Sequence, residues 1–196
     1  QDTRKPSLTV PTTPIRGDHW ISANAADSVS IASAGLFVDG SLIGRRLSAE
    51  PFRWLLRTRD LADGIHTVEF EAVDSSGNGT KEERQLATDN GAPQLGIEAS
   101  RGELDTQRGC THFSVRWTVA DSQDATPIVS LVSVEPRSGS KSRIFDAEVG
   151  SPDQKFCVDL SGGRTYRAAY RATDLAGNET TATISVTAAH PARGSN

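Results

Sequence analysis

The residues best suited to covalent chemistry are Cys110 and Cys157, the two cysteines of the chain. Neither has the spacing of a metal-binding cysteine motif, so they form either one disulfide or two unrelated thiols. In the predicted strand after Cys110 the odd-numbered positions, such as Phe113, point inward, and around Cys157 the even-numbered positions, such as Phe156, do so. Both cysteines then share the outer side, and we predict a Cys110 to Cys157 disulfide on the outside of the sheet or at its edge. Closing a loop of about 47 residues stabilises a domain by roughly 4 kcal/mol on the chain-entropy model.

The other residues that could support catalysis form no recognised motif. No histidine has ligand spacing to a second histidine, a cysteine or a carboxylate. The sequence also lacks a nucleophile elbow, a phosphate-binding glycine loop and a dinucleotide fingerprint. The nearest carboxylate pairs fall in loops or on a solvated strand, whereas glycoside hydrolysis needs two carboxylates across a cleft. We therefore predict no catalytic residue and no enzyme activity. The residues considered are His19, His66, His112, His190, Asp121 with Asp124, and Glu82 with Glu83.

Some Asp and Asn residues of the sequence could bind calcium instead of only capping turns. Asp2, Asp74, Asp89 and Asn90 would cluster near a domain end or junction, and Ca²⁺ prefers such oxygen ligands. Turn capping explains the same residues without an ion, because Asp and Asn side chains accept hydrogen bonds from turn amides. We expect no cofactor, with calcium as the competing hypothesis.

An internal repeat indicates which elements position these residues. At an offset of 100 residues, an alternating apolar strand followed by Asp-x-x-Gly-Asn lies over a second copy of itself. Period-two alternation is typical of a half-buried strand. The Asp-x-x-Gly-Asn phrase predicts the hairpin after it, since Gly and Asn tolerate positive φ. The predicted turn residues are Asp74, Gly77 and Asn78 in the first copy and Asp174, Gly177 and Asn178 in the second.

A second repeated phrase marks where each copy begins. Asp, Pro and Leu recur at identical spacing in residues 2–8 and 89–95. A proline there fixes an extended entry into the first strand without removing a needed ladder hydrogen bond. We predict a first domain over residues 1–88, a second over 89–190 and a tail over 191–196.

The strand pattern predicts an all-β fold. Each domain offers about seven short strands with almost no helical periodicity, which describes a β-sandwich, with a barrel as the competing closure. In the first domain the predicted strands are 8–10, 20–25, 35–38, 42–46, 52–56, 65–73 and 81–86. In the second they are 94–99, 112–119, 128–135, 143–149, 155–160, 166–173 and 180–187.

Composition excludes two classes of partner. The net charge of -4 and the dispersed basic residues argue against binding to nucleic acid. No apolar run approaches the ~20 residues that span a bilayer, so membrane insertion is not expected. The chain contains no methionine, even at position 1, which suggests a processed product or a fragment of a longer protein.

The sequence resembles the bacterial immunoglobulin-like domains of secreted and surface proteins. The resemblance rests on short, turn-like motifs, so it indicates fold far better than function. In the first domain these are Val38 to Gly40, Phe52 with Trp54, Leu61 to Thr67 and Asp74 to Asn78; in the second they are Gly163 to Tyr166, Asp174 to Asn178 and Ile184 to Val186. The resemblance implies two tandem immunoglobulin-like β-sandwiches, with fibronectin type III as an alternative label for the second.

The resemblance also implies a role. Such domains space, present or dock neighbouring domains of a larger secreted or surface protein, and the predicted disulfide favours the same extracellular location. The alternative is a binding module for a glycan or a protein surface that uses loops at one end of a sandwich. Trp54 and Trp117 are predicted to be buried, and Trp20 is the least secure of the three tryptophans. The expected partners are neighbouring domains, a surface protein or a glycan.

Overall fold

The computed structural model describes residues 7–25, 30–137, 143–159 and 164–188. The chain divides into two compact units, Gln1–Gly91 and Ala92–Asn196. The division falls three residues after the boundary expected from the repeated Asp-Pro-Leu phrase. The expected tail, residues 191–196, lies outside the described residues.

Unit 1 consists of two antiparallel sheets. One sheet has the order β1-β2-β5 and the other the order β4-β3-β6-β7. The strands are β1 Ser7–Thr9, β2 Asp18–Asn24, β3 Ile31–Val38, β4 Ser41–Leu42, β5 Phe52–Arg57, β6 Gly64–Asp74 and β7 Gly79–Thr88. Thr58–Asp60 forms a single turn of 3-10 helix, and the described residues contain no α-helix.

Unit 2 also consists of two antiparallel sheets, with the orders β11-β12-β9-β8 and β10-β13-β14. The strands are β8 Gln94–Asp105, β9 Cys110–Ala120, β10 Ile128–Pro136, β11 Ile144–Phe145, β12 Lys155–Asp159, β13 Thr165–Thr173 and β14 Glu179–Thr187. Each unit thus shows seven strands within the described residues, and the all-β class is confirmed.

Side-chain alternation builds each core. In β6 the even-numbered residues, including Phe70, are buried, whereas Glu69 and Glu71 point outward. Phe70 packs against Phe52 of the opposite sheet, with ring centroids 6.2 Å apart. Contacts between the inner faces of two separate sheets define a sandwich rather than a barrel.

The fourth strand is shorter than predicted in both units and joins a different sheet in each. The predicted strands over 42–46 and 143–149 shrink to the two-residue strands β4 and β11. Gly44 has φ 65° and Asp146 has φ 61°, so the backbone turns out of the ladder just after each strand. β4 pairs with β3, while β11 pairs with β12 in the sheet that contains β8 and β9.

Candidate functional site

A hydrogen-bond cluster surrounds the buried His66 where β6 begins and β7 ends. His66 Nδ1 lies 2.6 Å from Asp39 Oδ2, and His66 Nε2 lies 2.8 Å from the main-chain oxygen of Ala62 and 3.1 Å from Thr88 Oγ1. Only 9% of the His66 side chain is exposed. The polar tip of this strand-start residue thus reaches a main-chain group, and His66 is the residue that lies over Tyr166 at the repeat offset of 100 residues.

Strand register brings these residues together. Val38 pairs with Val68, so Asp39, the next residue, reaches the start of β6. Asp39 N–H donates to the Thr67 oxygen, and Thr67 N–H donates to Asp39 Oδ1, both at 2.9 Å. Asp39 has φ 48°, a left-handed conformation that Asp adopts more readily than most residues. At the same end of the sheet Gly64 pairs with Thr88.

Asp39, His66 and Thr88 contact one another in the order of the acid, base and nucleophile of a catalytic triad. The protonation of the His66 ring nitrogens differs from the one that a triad requires. A triad needs an unprotonated Nε2 facing the hydroxyl. Here His66 Nε2 faces the Ala62 carbonyl oxygen, which only accepts, so this nitrogen carries a proton. Thr88 Oγ1 also donates to the Ala62 oxygen, at 2.7 Å, and Thr88 is fully buried. The arrangement fixes the chain segments around Ala62 and leaves no activated nucleophile.

Two opposing effects set the charge of His66. Burial disfavours the imidazolium, but the hydrogen bonds to Asp39 and to the Ala62 carbonyl favour it, and the net pKa of His66 is raised above 6.5. The hydrogen bond from His66, followed by that from Thr67 N–H, lowers the pKa of Asp39 below 3.8. Both shifts favour an ion pair with both ring nitrogens acting as donors.

The Asp-x-x-Gly-Asn phrase forms the same turn in both units. Asp74 Oδ1 accepts from Asn78 N–H and Asp174 Oδ1 accepts from Asn178 N–H, each at 2.8 Å. The side-chain amide of each Asn donates to the other carboxylate oxygen of its Asp, at 2.7 and 2.9 Å respectively. Gly77 and its counterpart in the second turn have φ 89° and 84°. Because the Asn78 side chain and main chain favour the carboxylate, the pKa of Asp74 is lowered from 3.8.

The calcium grouping drawn from the sequence is wrong for Asp74 and Asn90. Asp74 is the last residue of β6, whereas Asn90 follows Thr88, which pairs with the first residue of that strand. An eleven-residue strand separates its ends by about 30 Å, so the two side chains cannot share an ion. Asn90 is held instead by Asp63 Oδ1, which accepts from its main-chain N–H at 2.7 Å. Asp89 Oδ1 accepts from Gly91 N–H, and Asp2 lies outside the described residues.

The predicted disulfide between Cys110 and Cys157 is present. Strand phase places both cysteines opposite Phe113 and Phe156, which belong to the core cluster of unit 2. The expected edge position is wrong, because both cysteines are fully buried and lie in the two interior strands of the sheet, β9 and β12. The two bridged strands are therefore flanked by β11 on one side and β8 on the other.

His112 lies beside this disulfide, although its sequence spacing matches no recognised metal motif. A ring nitrogen of His112 and the two sulfur atoms all lie within 4.8 Å of one another. Asp105 Oδ2 is 4.0 Å from His112 Nε2. The spacing of Cys110 and His112, two residues apart on one strand, was the available sequence signal, because such positions share a face.

The tryptophans differ in exposure. Trp54 is buried as predicted and donates its Nε1–H to the Arg45 oxygen at 2.9 Å. Trp117 is half-buried, contrary to prediction, and packs against Tyr170 with ring centroids 5.7 Å apart. Trp20 is 58% exposed, and the Arg53 guanidinium lies over its ring.

Comparison with known proteins confirms the resemblance to bacterial immunoglobulin-like domains. A family model described as a bacterial Ig domain matches residues 8–69, which lie within unit 1. No curated protein matches the chain. In the described part of the chain no helix is long and apolar enough to cross a membrane.

The solved structures that match the chain include modules of three bacterial proteins. Fibronectin(III)-like modules of CbhA from Clostridium thermocellum are 14% identical, with a TM-score of 0.47 and 94% of both chains covered. The Ca²⁺-stabilized adhesin with which an Antarctic bacterium binds ice is 16% identical, with a TM-score of 0.54, and the match covers 94% of this chain and 48% of that one. SGBP-B of Bacteroides ovatus, solved with a mixed-linkage heptasaccharide, is 17% identical, with a TM-score of 0.32 and coverage of 94% and 47%. The present chain spans about half the length of the last two, and the likeness to the adhesin shows the fold.

Proposed function

We propose that this chain is a non-catalytic extracellular module that spaces, presents or docks neighbouring domains of a larger secreted or surface protein. The observation that carries the proposal is the engagement of several potentially reactive groups among the described residues. His66 and Thr88 both donate to the Ala62 carbonyl, and Asp74 and Asp174 cap turns. Groups held in this way stabilise a scaffold and offer no free base or nucleophile to a substrate.

The disulfide supports the extracellular location. Disulfides persist in oxidising compartments and are rare where glutathione and thioredoxin keep thiols reduced. The Cys110–Cys157 bridge is fully buried and spans 47 residues of unit 2. A buried bridge that closes a loop of this length stabilises a domain exposed to the exterior of a cell.

The fold is consistent with a spacer. Each unit has its own hydrophobic cluster and forms its own pair of sheets. A unit that buries its own core can be placed between other domains without depending on them for stability. Fold alone does not specify function, so the role needs a direct test.

Surface display provides that test. The chain would be inserted between a bacterial outer-surface anchor and a reporter domain that binds a ligand on beads, with a fusion lacking the chain as the control. A spacer increases bead capture over this control, and a second inserted copy increases it further. The chain on the anchor without the reporter should capture no beads coated with glycans or host proteins. Capture by the chain alone, or no gain from its insertion, would contradict the proposal.

A glycan-binding role is the second candidate, and the exposed Trp20 favours it. An aromatic face with an arginine beside it can stack on a sugar ring and hydrogen-bond its hydroxyls. Trp20 lies on β2, beside Arg53 on β5. Binding to an immobilised glycan panel should then be abolished by Trp20→Ala. Leu42→Ala, a substitution of another exposed apolar residue on the other sheet, should leave it unchanged. No binding by the native chain would exclude this candidate.

A further inference from the structure

Four side chains with metal-binding chemistry share one face of the β8-β9-β12 part of the unit 2 sheet. Cys157 of β12 lies directly opposite His112 of β9. Cys110 is two residues before His112 and therefore on the same face, and Asp105 of β8 lies directly opposite Cys110. Residues directly opposite one another in an antiparallel pair have Cβ atoms about 5 Å apart. The register thus places two sulfur atoms, an imidazole and a carboxylate in one compact group.

The distances suit a zinc ion once the disulfide is open. The two sulfur atoms and a His112 ring nitrogen lie within 4.8 Å of one another. Tetrahedral Zn²⁺ has Zn–S bonds of about 2.3 Å and Zn–N bonds of about 2.0 Å, so its ligand atoms are separated by roughly 3.5 Å. The Cα atoms of Cys110 and Cys157 are 5.6 Å apart, and only the side chains have to adjust.

We propose that the reduced form of unit 2 binds one Zn²⁺ through Cys110, Cys157 and His112. Two equivalents of a small thiol, RSH, reduce the bridge to two protein thiols and form RSSR. Zinc then displaces the two thiol protons and is bound by two thiolates and a neutral imidazole. The metal keeps its oxidation state throughout. Because sulfur atoms in a disulfide carry no charge and donate poorly, the oxidised protein does not bind the ion.

Asp105 is the positioning residue of this site. Its Oδ2 lies 4.0 Å from His112 Nε2, which is too far for a hydrogen bond in the oxidised protein. On metal binding the two atoms would close to about 3 Å, and a carboxylate that accepts from one ring nitrogen orients the other toward the metal. Its Oδ1 accepts from the N–H groups of Gln107 and Arg108, which fixes the carboxylate in the β8–β9 turn. Arg108 Nε lies 3.7 Å from Asp105 Oδ2 and competes with the imidazole for it.

Burial and charge favour an occupied site in the reduced protein. Cys110 and Cys157 are fully buried, so two bare thiolates there would be costly. One Zn²⁺ neutralises both charges. The His112 side chain is 42% exposed, which gives the ion a route from solvent to the sulfur atoms.

Metal titration of the intact chain tests the site. Protein reduced with a phosphine would be titrated with Co²⁺, which gives a thiolate charge-transfer band, and then with Zn²⁺ in competition with a chromophoric chelator. We expect one equivalent bound to the reduced chain and none to the oxidised chain. Asp105→Asn should weaken zinc binding by about 10- to 100-fold, and His112→Gln should weaken it further. His19→Gln replaces a half-buried histidine of unit 1 and should leave zinc binding unchanged.

Two further measurements separate this site from adventitious binding to free thiols. The Cys110→Ser/Cys157→Ser double variant should bind no zinc. Zinc should raise the melting temperature of reduced native protein but not that of reduced His112→Gln, because the ion stabilises only a folded form that binds it. Equal zinc affinity in native protein and His112→Gln would show binding by an unfolded chain and overturn the proposal. Binding by the oxidised chain, or no binding after reduction, would also overturn it.

Discussion

The hydroxyl of Tyr166 donates to the main-chain oxygen of Asp159 at 3.0 Å and ties the start of β13 to the end of β12. Its counterpart in unit 1, His66, contacts the Ala62 oxygen at 2.8 Å, in the loop directly before β6. Two different side chains therefore anchor the start of corresponding strands, one to the preceding strand and one to the preceding loop. Tyr166 is fully buried and donates through its hydroxyl, whereas His66 donates through a ring N–H.

Two tyrosine-to-phenylalanine substitutions in unit 2 compare a hydroxyl group that donates a hydrogen bond with one that has no partner among the described residues. Tyr166→Phe removes a hydrogen bond and should lower the free energy of unfolding of unit 2 by about 1 kcal/mol. The Tyr170 hydroxyl is buried and has no hydrogen-bond partner among the described residues, and burial raises its pKa to about 12. Tyr170→Phe should therefore leave stability unchanged or raise it by up to about 1 kcal/mol. Urea unfolding of both variants checks the order, and equal losses would contradict it.

The sequence predicted what depends on local pattern. Alternation along β6 and β13 placed Phe70 and Tyr170 in the cores, and the Asp-x-x-Gly-Asn phrase marked both hairpins. Both signals come from residues close together in the chain, so strand period and turn chemistry suffice to read them.

Contacts that depend on register were missed, except the Cys110–Cys157 disulfide, which strand phase predicted. Asp39 reaches His66 only because β3 pairs with β6 so that Val38 faces Val68. His112 lies beside Cys157 only because β9 pairs with β12 in one particular alignment. The calcium grouping is wrong only in placing Asp74 with Asn90, because these two residues lie at opposite ends of one long strand. Local periodicity does not determine which distant strands pair or in which alignment.

The His66–Asp39 pair should make unit 1 more stable in mildly acidic solution than in alkaline solution. The pKa of His66 is raised in the folded state, so its contribution is fully present below pH 6.5 and is lost as pH rises through the raised value. The pKa of Asp39 is lowered, so its contribution is present above pH 3.8 and is lost as pH falls through the lowered value. Stability from this pair is therefore greatest between 3.8 and 6.5.

Hydrogen exchange measured residue by residue across this pH range isolates unit 1. Protection in β6 and β7, corrected for the intrinsic exchange rate, should decrease from pH 6.5 to alkaline pH in the native chain. His66→Gln should be less stable at acidic pH and should lack this decrease. An unchanged pH dependence in His66→Gln would assign the effect to other groups.

Replacing Gly77 by a residue with a side chain should lower the stability of unit 1. Its φ of 89° lies in the left-handed region, where a Cβ costs roughly 1–2 kcal/mol, although nothing lies within 4 Å of the added atom. Gly77→Ala should lower the stability of unit 1 by that amount through backbone strain alone. Gly79→Ala is the matched control, because its added Cβ would meet Val73 Cγ2 at 3.9 Å, an ordinary contact, and its φ is not positive. Calorimetry should show a lower transition temperature for Gly77→Ala only.

The disulfide should stabilise unit 2 and leave unit 1 unaffected. The bridge closes a loop of 47 residues, and in the chain-entropy model its removal lowers the free energy of unfolding by about 4 kcal/mol. Cys110→Ser/Cys157→Ser removes the bridge with little change in side-chain volume, and protection from hydrogen exchange should fall in β9, β12 and β13 while β6 and β7 keep theirs. Forced unfolding offers an independent measure, since the bridge prevents the segment between the two cysteines, which are 47 positions apart, from extending. Opening it with a reductant should lengthen the extended chain by about 160 Å, at 3.3–3.6 Å per residue. An unchanged length would show that the bridge is not formed in solution, and equal losses of protection in β6 and β13 would show that the two units do not unfold independently.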